Sequence, residues 1–244
     1  IYFRNNNMSF LILVRHGQSI WNLERKFTGW VDIDLSEKGK LEAEKAGHLI
    51  KNQDIKIHFY YSSLQLRANN TLEIIQKILD DKKDYVSAWQ LNERHYGSLT
   101  GLNKIEMSKE LGDDKVYEFR RSWDIRPDPL SKESPYHPIN IEKYKKIPAK
   151  EIPDTESLKD TYERVIKYFE EKIQNQLKNK NILISAHGNS IRALCKYLFE
   201  LNNNQISNLE IPTGNPLLIE FSENQKIKKC VYLDEDRAKD LLVF

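Results

Sequence analysis

Cysteine is almost missing: Cys195 and Cys230 are the only two among 244 residues. Two thiols make no disulfide framework, and that usage suits a reducing compartment. Metal motifs are missing as well, since the six histidines include no His-x-x-x-His spacing and the cysteines are far apart. No long apolar run exists. The best stretches, residues 10–14 and 217–219, fall far short of the roughly 20 residues a membrane helix needs, so a soluble, cytoplasmic protein is expected. Charge of one sign is not in excess either: 38 Lys and Arg against 36 Asp and Glu leave a formal net charge of +2. That balance gives no sign of nucleic-acid binding, and any phosphate-binding surface must be a local concentration of basic residues. Internal repeats of solenoid type do not occur.

The chain is rich in the material of a packed core. Hydrophobic residues make up 39%, with twelve Tyr and four Trp, too apolar and too aromatic for disorder. Its length fits one large domain or two small ones. One domain over residues 8–244 is expected, with residues 1–7 (IYFRNNN), which precede Met8, read as upstream or vector-derived sequence.

Residues 10–14 form a short all-apolar run bounded by polar sequence, the pattern of a strand buried on both faces in a parallel sheet. A helical stripe follows over residues 36–50, with Ser36 as N-cap. Residues 57–61 read as a strand, 64–79 as a helix and 86–89 as a further short strand. Residues 126–153 hold six of the eight prolines and little periodicity, the look of a long irregular loop or lid. Ser157 with Asp160 three positions on forms a capping-box signature before the stripe Leu158, Tyr162, Val165, Ile166, Phe169 and Ile173. Strands are expected at 181–186, 217–221 and 228–232, then a short C-terminal helix. The sum is a three-layer α/β fold with a mostly parallel central sheet flanked by helices.

Two strand ends resemble each other. LILV runs into Arg15-His16-Gly17-Gln18-Ser19, and ILIS into Ala186-His187-Gly188-Asn189-Ser190. Ligands of open α/β sheets bind outside the carboxyl ends of strands, so two imidazoles can meet over one site. A glycine after each histidine lets backbone approach an anion and present N–H groups to it. Arg15, Arg67, Lys104 and the pair Arg120-Arg121 offer forks and point charges suited to phosphate. Each alone would pass for a solvated surface charge; together they surround a phosphoryl group. A neutral imidazole is a good nucleophile toward phosphorus, cations stabilise the loose transition state, and Glu93 in LNERHYG is the carboxyl group available for proton transfer. His48, His58 and His137 receive no role. Trp21, Trp30, Trp89 and Trp123 read as packing residues, and Cys195 as a small core residue.

LVRHGQSIWN, FTGW at 27–30, DLSEKG at 34–39, LNERHYG at 91–97, GLNK at 101–104, Arg120-Arg121, AHGNSIRAL at 186–194 and IPTGNPL at 211–217 together resemble the cofactor-dependent phosphoglycerate mutases of the histidine phosphatase superfamily. The resemblance runs from Met8 to the last residues. It implies that His16 is the phosphorylated nucleophile and Glu93 the general acid/base, with Arg15, Arg67 and His187 holding the phosphoryl group in transfer. It assigns substrate contacts to Gly17, Gln18, Ser19, Asn22, Thr28, Gly29, Arg94, His95, Tyr96, Lys104, Arg120, Arg121, Gly188 and Asn189. Such enzymes interconvert 3-phosphoglycerate and 2-phosphoglycerate in glycolysis and gluconeogenesis, are primed by 2,3-bisphosphoglycerate and use no metal. Their partners are small phosphoglycerates rather than nucleic acid or membrane, and homodimers and homotetramers occur among them.

One departure is the end of the chain. The twelve residues after Tyr232 replace a longer Lys- and Ala-rich tail that in many relatives helps cover the site. The alternative that this raises is a histidine-type phosphatase of small phosphorylated metabolites, in which water takes the phosphoryl group from His16. A silent phosphoryl-binding protein is the third reading, and the intact set His16, His187 and Glu93 argues against it.

Overall fold

A computed structural model of the chain describes residues 8–238. The seven residues before Met8 and most of the expected C-terminal helix lie outside the described residues; within them, 235–237 form only a 3-10 turn.

Six strands build one sheet in the order β3-β2-β4-β1-β5-β6. They are β1 (Ser9–Arg15), β2 (Phe59–Ser62), β3 (Tyr85–Ser87), β4 (Ile182–Ala186), β5 (Leu217–Phe221) and β6 (Ile227–Tyr232). β3, β2, β4 and β1 pair in parallel, while β5 runs against both β1 and β6. The sheet is therefore mixed but mostly parallel, because β5 alone opposes the rest.

β1 and β4 are central, which explains their uninterrupted apolar sequence. Side chains alternate between faces, and Leu11, Leu13, Ile182 and Ile184 enter one core cluster while Ile12, Val14 and Leu183 enter the other. Full burial of one such side chain contributes about 1.5–3 kcal/mol. Helices α2 (Glu37–Lys51) and α3 (Leu66–Leu79) cover the second face; α6 (Leu158–Tyr168) and α7 (Gly188–Leu198) cover the first. Ser36 caps α2 by accepting the Gly39 N–H, and Ser157 and Asp160 form the expected reciprocal box at α6.

Boundaries move where side chains bond locally. α3 starts at Leu66 and not at 64, because the Leu64 N–H donates to the Asn92 side chain and the Gln65 N–H to Ser63 Oγ. β2 starts two residues late: the His58 N–H donates to the Asn181 carbonyl ahead of the ladder. Residues 89–91 form a 3-10 turn, not strand. Beyond α1 (Ile20–Leu23), the structure adds α4 (Lys104–Leu111), α5 (Asp113–Arg121) and α8 (Asn203–Asn208).

The proline-rich stretch 126–153 is packed rather than loose. It contains three short 3-10 turns, and Tyr144, fully buried against Trp30, donates its hydroxyl to the Trp30 carbonyl at 2.6 Å. His137 is buried there too, bonded to Asp154 at 2.9 Å. The Asp128 carbonyl accepts the Ser98 N–H at 2.7 Å and Lys143 pairs with Asp32, which ties the segment to two distant loops. Among the described residues, no helix is long and apolar enough to cross a membrane.

Candidate active site

Parallel pairing places Arg15 opposite Ala186, so the next residues, His16 and His187, leave the sheet side by side. Their rings lie 5.0 Å apart between centroids, tilted by 60°, and the His16 N–H donates to the Ala186 carbonyl at 3.0 Å. Immediately after His16 the backbone is pressed against α2. A Cβ on Gly17 would stand 2.1 Å from the Gly39 carbonyl oxygen, and one on Gly39 2.0 Å from the Gln18 oxygen. Only a glycine pair permits this approach. The Gly17 N–H donates to Thr71 Oγ1 at 3.1 Å, so here the expectation that this glycine offers its N–H to an anion gives way to internal packing.

The bonding around His16 fixes its proton. Nδ1 faces the Gly17 carbonyl at 2.6 Å, an acceptor, so Nδ1 carries the hydrogen. Nε2 is left with its lone pair, toward which Arg67 Nε donates at 3.3 Å. Burial, then the charges of Arg67 and Arg15, hold the His16 pKa well below the ordinary 6.5. The ring is thus neutral and nucleophilic at neutral pH. Arg67 is itself buried and anchored by donation to the carbonyls of Val31 and Gly29, both at 3.0 Å. Arg15 donates to the Ile211 carbonyl at 2.7 Å and keeps a buried Nε with no protein partner.

His187 is fully buried, and burial followed by Arg67 keeps it neutral. Its Nε2 lies 2.8 Å from Ser63 Oγ, which already accepts the Gln65 N–H at 3.0 Å. The bond to Ser63 ties the ring to the segment after β2, and the His187 side chain closes a capping box with Ser190 in the first turn of α7.

Glu93 reaches the same place from the segment after β3. Its Oε1 accepts the N–H groups of Arg94 (2.8 Å) and Asn189 (3.1 Å), while Oε2 lies near Gly188 and Arg15 with no protein donor. Among the described residues Glu93 forms no ion pair with Arg94 or Arg121, and Arg121 pairs with Glu210. A cavity opens over Arg15, His16, Arg67 and Glu93. Arg15, Arg67, Lys104, Arg120, Arg121 and Arg192 line it against only Glu93 and Glu210, with Asn22, Thr28, Gly29, Tyr96, Gly188 and Asn189 completing the wall. Burial lowers the Lys104 pKa. A net excess of cations in a partly enclosed pocket focuses potential on a small polyanion.

Several residues expected as contacts stand behind that wall. Ser19 caps α1, Gln18 bonds Glu42 and Ser36, and Gly17 packs on Gly39. Arg94 stacks over the Tyr96 ring at 4.6 Å and donates to the Phe119 carbonyl. His95 is fully buried, its Nδ1 accepting the Gly97 N–H, and burial with His137 nearby brings its pKa to about 3. Sequence reasoning missed Arg192 and Glu210 on the wall, and Ser63 and Gln65 beneath it. Arg192 had a signal: it sits four positions after Gly188 in α7, on the same helical face. Glu210 and Ser63 had none, since only tertiary contact gives them a part. Among the described residues, no group of three or more His, Cys, Asp or Glu could hold a metal ion.

Comparison with known proteins agrees with this geometry. The profile of the histidine phosphatase superfamily (branch 1) matches residues 11–138 and 136–233. A protein of Pelagibacter ubique (strain HTCC1062), named 2,3-bisphosphoglycerate-dependent phosphoglycerate mutase, is 68% identical over 97% of this chain and 100% of its own. One of the same name from Hydrogenobaculum sp. (strain Y04AAS1) is 46% identical over 95% of each chain. Among solved structures, a mycobacterial glucosyl-3-phosphoglycerate phosphatase complexed with VO3 superposes with a TM-score of 0.66 at 18% identity, covering 92% of this chain and 98% of that one. The alpha-ribazole phosphatase of Shigella flexneri superposes at 0.67 with 17% identity, covering 91% and 95%. At those identities the structures establish the shared fold.

Proposed function

The chain belongs to the histidine phosphatase superfamily, and from that premise we infer that it interconverts 3-phosphoglycerate and 2-phosphoglycerate as a 2,3-bisphosphoglycerate-dependent phosphoglycerate mutase, an isomerase of glycolysis and gluconeogenesis. The observation that carries this reading is the 68% identity over nearly the full chain to a mutase of that name. The geometry supplies a mechanism consistent with it.

His16 Nε2 is the nucleophile. Its attack on phosphorus forms a P–N bond while the P–O bond of the donor breaks, and the departing oxygen takes a proton from Glu93 Oε2. In the reverse direction the free hydroxyl of a bound monophosphate gives its proton to Glu93 as it attacks the phosphohistidine. Isomerisation follows when one hydroxyl receives the phosphoryl group and His16 recovers the group on the other. Arg15, Arg67 and His187 surround the phosphoryl group in transfer, where charge spreads in the transition state. Lys104, Arg120 and Arg121, which also line the cavity, hold the end of the substrate that is not reacting.

A bisphosphate fits this donor set. Six cationic side chains line the cavity, and Arg15 Nε, Thr28 Oγ1 and Arg192 Nε are buried polar atoms with no protein partner. When bound, 2,3-bisphosphoglycerate supplies the phosphoryl group that charges His16. No residue of this scheme needs a metal, and activity in chelator is expected.

The deciding experiment follows conversion of 3-phosphoglycerate in chelator, with and without trace bisphosphate, while free phosphate is measured. Isomerisation that depends on the bisphosphate with little phosphate released supports the mutase. Phosphate release without isomerisation overturns it in favour of the phosphatase.

A further inference from the structure

Glu93 stands on an irregular segment between a 3-10 turn and a loop, with no helix or strand to hold it. What holds it comes from α6. Arg164 spends all five of its N–H groups. Nε donates to Glu156 Oε1 at 2.6 Å, and Nη2 to Glu156 Oε2 at 2.9 Å and to the Glu93 carbonyl at 3.0 Å. Nη1 donates to the carbonyls of Gln90 and Asn92 at 2.7 and 3.0 Å. Glu156 Oε2 then accepts the His95 N–H at 2.8 Å. One ion pair, with side chains only 9% and 5% exposed, thus grips the chain immediately before and after the Glu93 side chain. Neither member lies against the reacting groups.

We propose that Arg164 and Glu156 are positioning residues that set the reach of the Glu93 carboxylate. The proposal rests on the reading of Glu93 as the acid/base. Proton transfer demands a heavy-atom approach of about 2.6–3.2 Å, and a displacement of about 1 Å in such a group can cost a hundredfold in rate. Glu93 Oε1 is tied to two N–H groups, that of its neighbour Arg94 and that of Asn189 at the start of α7. Those ties hold Oε2 toward the cavity only while the backbone of residues 90–95 keeps its course. A planar fork can take three carbonyls and a carboxylate at once, and an ammonium cannot, so the requirement is for arginine and not merely for charge.

The test is a mutant cycle on the full chain. Arg164→Lys and Arg164→Met are each made alone and with Glu93→Gln, and the bisphosphate-primed turnover of 3-phosphoglycerate is measured. Each single variant is expected to lose ten- to hundredfold in kcat. KM and inhibition by vanadate, which reads the His16 pocket, should stay within about twofold. Lysine should not rescue. On top of Glu93→Gln, Arg164→Met should cost less than threefold more, because a positioning residue has nothing left to position. Losses that multiply in the double variant, rescue by lysine, or a change in vanadate inhibition would overturn the proposal. If Arg164→Met shows no cooperative thermal transition, Glu156→Gln, which keeps shape and loses only charge, carries the same cycle with the same criteria. Wild-type turnover separates the two readings. Absent isomerisation there overturns the mutase assignment, whereas intact wild-type turnover with multiplying losses overturns only the clamp.

Discussion

At the scale of the residue, the seat of His187 is made by a hydroxyl that no motif reveals. Ser63 Oγ lies 2.8 Å from His187 Nε2 and accepts the Gln65 N–H at 3.0 Å. Ser63→Ala removes both bonds and leaves a buried imidazole nitrogen and the Gln65 N–H without that partner. We expect about a tenfold fall in kcat, the equivalent of about 1.4 kcal/mol of transition-state stabilisation. A kcat equal to wild type would show that this bond does not seat the ring. Gly17 offers a separate test, because its value is steric. The Cβ of Gly17→Ala would meet the backbone of Gly39 at 2.1 Å, and both neighbours are main chain that cannot rotate away. Overpacking of this kind costs about 1–3 kcal/mol. A denaturant midpoint unchanged from wild type would contradict the close approach.

At the scale of the element, legibility followed burial. β1 and β4 were readable because both faces are covered, which leaves a continuous apolar run, and α2 and α6 because a cap precedes a one-sided stripe. α4 gave no such signal, since none of its residues is buried, and α5 buries only Val116. The fold and the strand-end pair His16 and His187 were therefore legible, as were Arg15 and Glu93 within the quoted motifs and Arg67 as an arginine at a helix start. The supporting shell of Ser63, Gln65, Glu156 and Arg164 was not, because these residues owe their parts to contacts across distant segments. The cap of α6 makes this measurable. Ser157 Oγ accepts the Asp160 N–H at 3.2 Å, and Asp160 accepts the Ser157 N–H at 2.7 Å and pairs with Arg126. Ser157→Ala should lower stability by about 1 kcal/mol, read as a drop in thermal midpoint. An unchanged midpoint would mean that tertiary packing alone holds the helix start.

At the scale of the whole molecule, a site built from buried neutral histidines ties folding to pH. Burial first, then neighbouring cations, depresses His16 and His187 well below 6.5, and burial with His137 brings His95 to about 3. In the unfolded chain each titrates near 6.5. Between the folded and unfolded values the unfolded state binds more protons, so stability rises with pH there. The contribution is fully present above about pH 6.5 and is lost as pH falls toward the folded values. Well below pH 6.5, each group that is still neutral in the folded state gives a slope of at most about 1.4 kcal/mol per pH unit. Thermal midpoints should accordingly fall steeply between pH 7 and 5, before most carboxylates protonate. His95→Asn, whose side chain can still accept the Gly97 N–H, should flatten that slope without touching the reacting groups. Midpoints that stay level down to pH 5 would mean that the three imidazoles titrate in the folded protein as they do in the unfolded chain, and would overturn the depression that burial gives them.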